Sequence, residues 1–180
     1  LDVAEIIAGL PQIKSKKEVY EHFSDLGFDY GRNFQGIENI SYSQDKAVVE
    51  LTFKKQDQFV LEPGLLDSIF QCTIGLSLEG KTNTVYVPYS IQRVSIYKEV
   101  PLKAWCLVEQ VATKSSTSGI RKYNMILVNS LGEIILKLDE FTLLPLENIL
   151  ADKKESEEDK KEGIRYFNAV WKNVAPQISK

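Results

Sequence analysis

The chain has 180 residues, 43% of them hydrophobic and 26% charged, with a net charge of −3. That is enough apolar material for one globular domain with a real core, and mild acidity without a basic stripe argues against nucleic acid or an anionic membrane as partner. No apolar run reaches membrane-span length and nothing resembles a signal peptide, so no membrane span and a cytoplasmic location are expected.

Residues 2–9 and 15–26 carry helical patterns. In the second, Val19, Phe23 and Leu26 form the apolar side, with Ser15 placed to cap the start and Gly27 to stop it. Phe28 to Gly36 reads as a loop rich in aromatics and glycine. Ile37–Tyr42 and Lys46–Lys54 read as strands joined by a polar turn at Ser43-Gln44-Asp45. In the second strand Ala47, Val49, Leu51 and Phe53 point one way, Val48, Glu50 and Thr52 the other.

A short apolar run reaches Glu62, where Pro63-Gly64 breaks it. From Leu65 to about Leu78 the spacing is helical, with Leu65/Ile69, Leu66/Phe70 and Cys72/Leu76 as i,i+4 pairs. Pro63 suits the first turn of such a helix, where its missing N–H costs nothing. Apolar residues on nearly every side predict burial. Asp67 and Gln71 nevertheless share one face, and Gly75 continues that stripe at α-helical spacing. An ionisable group there is either a solvated rim or a group put to use.

After a turn at 80–83, Val85–Tyr97 is a strand region whose Pro88 implies an edge, a bulge or a bend. Three longer strands follow at about Ala104–Thr113, Gly119–Asn129 and Glu133–Leu144, with connections that favour tight antiparallel hairpins. Strands dominate and one buried helix is inserted early. The predicted class is therefore α+β, an antiparallel sheet wrapped around one long central helix. Cys72 and Cys106 are read as buried and reduced, and without a Cys/His cluster no metal site is expected. Residues 151–163 hold ten charges in thirteen, which predicts a solvated helix or a flexible linker. The apolar tail of 164–180 is expected to lead to or dock on a neighbouring domain. A chain beginning at Leu1 without methionine is expected to be a piece of something longer.

Four of these pieces, in order over about residues 19–172, resemble the dehydratase domains of modular polyketide synthases. Tyr30-Gly31-Arg32-Asn33-Phe34 is similar to that family's Tyr-Gly-x-x-Phe loop. Pro63-Gly64-Leu65-Leu66-Asp67, continuing to Gln71, is similar to its Pro-x-Leu-Leu-Asp-x-x-x-Gln helix start. Val87-Pro88-Tyr89-Ser90-Ile91 is similar to its Val-Pro-x-Ser-Ile segment. Tyr166-Phe167 with Val170-Trp171 resembles the segment leading out of such a domain.

The resemblance implies a double hot-dog fold, of which residues 1–150 would be the C-terminal unit. It implies loss of water from β-hydroxyacyl chains held on the phosphopantetheine of an acyl carrier protein, with no cofactor bound directly. Asp67 would be the catalytic acid with Gln71 beside it. Tyr30, Gly31, Phe34 and Pro88 would line the substrate tunnel, although Tyr30 and Phe34 read equally well as aromatic anchors of their loop. The family's catalytic base is the His of a His-x-x-x-Gly-x-x-x-x-Pro motif in the first unit. The sole histidine, His22, has Leu26 where that motif needs Gly and Gly31 where it needs Pro, so it is read as a surface or helix-packing residue. Glu62 stands where members commonly carry His.

Two functions follow. The chain is either the Asp-bearing half of a dehydratase, inactive without a His-bearing half, or a silent hot-dog module with a scaffolding or docking role in a synthase. A third reading is a homodimeric hot-dog hydratase or thioesterase. Expected partners are an acyl carrier protein, the His-bearing half or other synthase domains, and a second copy of the chain.

Overall fold

The computed structural model describes residues 1–54, 61–78, 84–112 and 119–147; the charged segment and tail beyond 150 lie outside them. Two helices open the chain. Helix α1 (Val3–Ala8) starts at Asp2, whose carboxylate accepts from the Glu5 N–H at 3.0 Å. Helix α2 (Lys16–Asp25) starts at Ser15, whose N–H and hydroxyl both donate to the Glu18 carboxylate at 2.8 and 2.7 Å. It stops where Gly27 takes φ +88°, a conformation that favours glycine. There the Phe28 and Gly27 N–H groups bond back to Phe23 O and Ser24 O, and the reversal points the aromatic loop back across the helix.

Between these helices lies a strand the sequence pattern does not announce, β1 (Gln12–Ser15). It is short, mostly exposed and without apolar alternation. Its place at the edge is set by backbone pairing with β2 (Ile37–Tyr42), Gln12 opposite Tyr42. The remaining strands are β3 (Lys46–Thr52), β4 (Tyr86–Ser90), β5 (Arg93–Ile96), β6 (Lys103–Gln110), β7 (Arg121–Val128) and β8 (Ile134–Pro145). Among the described residues they form one antiparallel sheet in the order β1-β2-β3-β6-β7-β8-β4, with β5 also pairing with β8.

The region around Pro88 is an edge and is broken in two. β4 runs along the C-terminal half of β8 and β5 along its N-terminal half. The break faces Glu140, which has φ +47° where the β7–β8 register shifts, and whose N–H is taken by the Asn124 side chain at 3.0 Å. One extra residue in β8 bends the strand, and a continuous partner cannot follow it.

The central helix is shorter than its sequence pattern predicts. It is an α-helix, α3 (Pro63–Gln71), that tightens into a 3-10 segment, Cys72–Leu76. Glu62 caps it, its carboxylate accepting from the Leu65 N–H at 2.7 Å. The 3-10 segment packs against β2, β3 and β6, joining Ile69, Cys72 and Ile74 to Ile40, Ala47, Val49, Leu51, Cys106 and Val108 in the core. The change of helix type also moves Gly75 off the Asp67–Gln71 stripe, because each residue now turns the chain further. A Cβ on Gly75 would stand 2.8 Å from Ala47 Cβ and 3.0 Å from Ile40 Cγ2. Its bare Cα is what lets the segment lie this close to the sheet. An antiparallel sheet curled over a buried helix is the hot-dog arrangement.

Candidate functional site: a clamped aspartate over a cavity

Gln71 is the centre of the polar arrangement on α3, and it is 4% exposed. Its amide nitrogen donates to the Phe34 carbonyl at 2.9 Å and to Asp67 Oδ2 at 2.7 Å. Its amide oxygen accepts from the Tyr20 hydroxyl at 3.0 Å. A carbonyl can only accept, so the Phe34 contact fixes which end of the amide is nitrogen. Asp67 Oδ2 is therefore held as an acceptor, and a proton on the neutral acid belongs on Oδ1. The helical i,i+4 spacing brings the pair together, and the loop and α2 fix its orientation from outside.

Tyr20 is the partner that no local pattern reveals. Its hydroxyl donates to Gln71 while accepting from the Ile37 N–H at 3.1 Å, and burial pushes its pKa up. The α2 apolar stripe of Val19 and Phe23 leaves Tyr20 beside it with no indication of a partner 51 residues away.

Asp67 and Gln71 open onto a cavity of about 260 Å³. Tyr30 and Pro88 line it as well, as do Phe70, Ser77, Tyr86 and Arg121. Tyr30 packs edge-on against Phe23 at 5.0 Å and stacks with Phe28 at 5.9 Å, so it anchors the loop and forms cavity wall at once. Burial, with the Asp67 charge beside it, pushes the Tyr30 hydroxyl up to about 12, which keeps it a proton-bearing donor at neutral pH. Phe70 is backed by Phe141 at 4.6 Å. Pro88 sits in the edge strand β4, where a missing N–H does no harm.

Gly31 and Phe34 are not on the cavity wall. Gly31 precedes a 3-10 turn, Arg32–Phe34, with an ordinary φ of −64°. Phe34 is 40% exposed, and what the residue contributes is its carbonyl. His22 moves the other way. It is half-buried and lines the same cavity as Asp67, on the same helix whose Tyr20 bonds to Gln71. Among the described residues, no group of three or more His, Cys, Asp or Glu side chains is placed to hold a metal ion.

The family described as polyketide synthase dehydratase N-terminal domain matches residues 1–152. The chain belongs to that family of polyketide synthase dehydratase domains. It is 28% identical over 134 residues to the polyketide synthase PksM of Bacillus subtilis strain 168, and 24% identical over 169 residues to PksL of the same strain. Those stretches are 69% and 89% of this chain but only 3% and 4% of PksM and PksL. Its fold is similar to the crystal structure of a trans-AT synthase dehydratase domain from Brevibacillus brevis, with a TM-score of 0.71 and 25% identity over 81% of this chain and 53% of that one. It is also similar to the dehydratase domain of the CurJ module of the curacin synthase, with a TM-score of 0.71 and 24% identity over 83% and 54% of the two chains.

Proposed function

We propose that this chain is the Asp-bearing half of a dehydratase that acts on β-hydroxyacyl groups carried on the phosphopantetheine of an acyl carrier protein. The observation that carries the reading is Asp67, fixed by Gln71 and presented to a largely apolar-walled cavity. In the reaction a base removes a proton from Cα, the Cα–Cβ double bond forms, and the Cβ–O bond breaks. Protonated Asp67 gives its proton to the departing hydroxyl, which leaves as water. Gln71 holds the carboxyl so that the free oxygen meets the substrate, and Tyr30 supplies a hydroxyl donor nearby.

The base comes from a His-bearing half. What supports a separate half is the length relation, since the matched part is 53% of the Brevibacillus domain. Asp67 cannot readily serve both roles, because acid and base begin in opposite protonation states.

Mass spectrometry of a β-hydroxyacyl carrier protein tests the reading. The chain alone should leave the substrate intact. A synthase protein containing both halves should remove water, and Asp67→Asn should abolish that while leaving the fold unchanged. Retained turnover in the asparagine variant removes Asp67 from the mechanism. Water loss by the chain alone, abolished by His22→Ala, would replace the half-domain reading with a self-sufficient hydratase.

A further inference from the structure

Arg121, at the start of β7, lines the same cavity as Asp67. Its Nη1 donates to Ser77 Oγ at 2.7 Å, and its guanidinium lies over the Tyr86 ring, 4.1 Å from the centroid. The Tyr123 hydroxyl lies against the same group. Among the described residues no carboxylate forms an ion pair with Arg121, whereas seven surface Lys–Glu pairs are present. A half-buried guanidinium, held rigid by a hydroxyl and a ring and with most of its N–H donors uncommitted among the described residues, is a built anion receptor.

The spacing says which anion. Asp67 stands on the helical segment that is α-helical to Gln71 and 3-10 from Cys72 to Leu76, and Ser77 caps its end. At the rises of those two helix types they are roughly 17 Å apart along its axis. A fully extended phosphopantetheine arm spans about 16 Å from phosphorus to sulfur at ordinary bond lengths. An arm lying along the cavity with its acyl thioester at Asp67 brings its phosphate to Arg121.

We infer that Arg121, with Ser77 and Tyr86, is the receptor for the phosphate of the substrate's phosphopantetheine arm. This rests on the carrier-bound substrate proposed above and adds the means by which a tethered acyl chain is set at the right depth. Only the phosphorylated arm presents an anion to Arg121.

The test compares two non-hydrolysable β-hydroxyacyl analogues, one on pantetheine and one on phosphopantetheine, titrated calorimetrically into this chain. The phosphorylated compound should bind roughly ten-fold more tightly, the scale of one charge-assisted hydrogen-bonding group. Arg121→Gln should erase that ratio, and Arg121→Lys, which keeps the charge, should retain part of it. Added salt should shrink the ratio in the wild type. Equal binding of the two compounds, binding of neither, or a ratio that survives Arg121→Gln would overturn the inference. An Arg121 that merely caps the end of the helical segment gives equal binding. Dehydration is read separately by mass spectrometry on a synthase protein containing both halves. Turnover there that ignores the phosphate sinks this inference alone, and phosphate preference in this chain without turnover by the two halves together sinks the dehydratase reading alone.

Discussion

Replacing Gln71 with leucine tests the clamp most directly. Leucine keeps nearly the same volume, so no large cavity opens, but three hydrogen bonds at 2.7, 2.9 and 3.0 Å disappear together. The losses differ in kind. Asp67 is half-buried and recovers water. The Tyr20 hydroxyl can turn to the Phe34 carbonyl, already 3.4 Å away, but that contact is long. The net cost is roughly 2–4 kcal/mol, about 1 kcal/mol per lost bond with a further penalty for the part-buried Phe34 carbonyl left under-satisfied. For a chain of this size that lowers the melting temperature by roughly 5–15 °C. Tyr20→Phe should cost less, and the double variant should fall short of the sum by about 1 kcal/mol, because the two side chains share one bond. Thermal and urea unfolding followed by circular dichroism reads all three. A Gln71→Leu protein that melts within about 2 °C of wild type, less than 1 kcal/mol on the same scale, would show that the clamp carries no stability and refute the reasoning.

Gly75→Ala should destabilise by about 1–3 kcal/mol in a thermal melt through overpacking against Ala47 and Ile40, whereas a helix glycine on an open face would gain stability from the same change. The Glu18 carboxyl is lowered from 4.5 to about 2, first by the Ser15 N–H, then by the Ser15 hydroxyl and Lys14. A depressed acid stabilises the fold above its unfolded value and loses that effect as pH falls through the folded one. The difference in urea midpoint between wild type and Glu18→Gln should therefore shrink between pH 4.5 and about 2, and a constant difference would refute it. Cys72 and Cys106 are buried, and burial pushes the Cys72 thiol well up, with Cys106 adding to it. A thiol reagent should label both only in urea, and rapid labelling of the native chain would contradict their burial.

Much of the architecture is readable in the sequence because it is set by local chemistry. Period-two alternation marks β3 and the long strands β6 to β8, the Ser15–Glu18 pair and Gly27 bracket α2, and Pro63 marks the start of α3. The i,i+4 spacing of Asp67 and Gln71 is likewise a property of the helix alone. The tertiary structure decides what depends on contacts between distant segments. β1 exists because β2 offers it a free edge, and no side-chain pattern encodes that. The helix tightens after Gln71 to fit beneath β2 and β3, which turns Gly75 into the core. Tyr20 clamps Gln71 and His22 reaches the cavity because the tertiary fold brings α2 up to the Gln71 end of α3. Arg121 reads in sequence as one charge at the start of a strand. It becomes a feature of the cavity only when β7 brings it beside Ser77 and Tyr86, since an electrostatic receptor is made by groups converging in space and a linear chain records only their order.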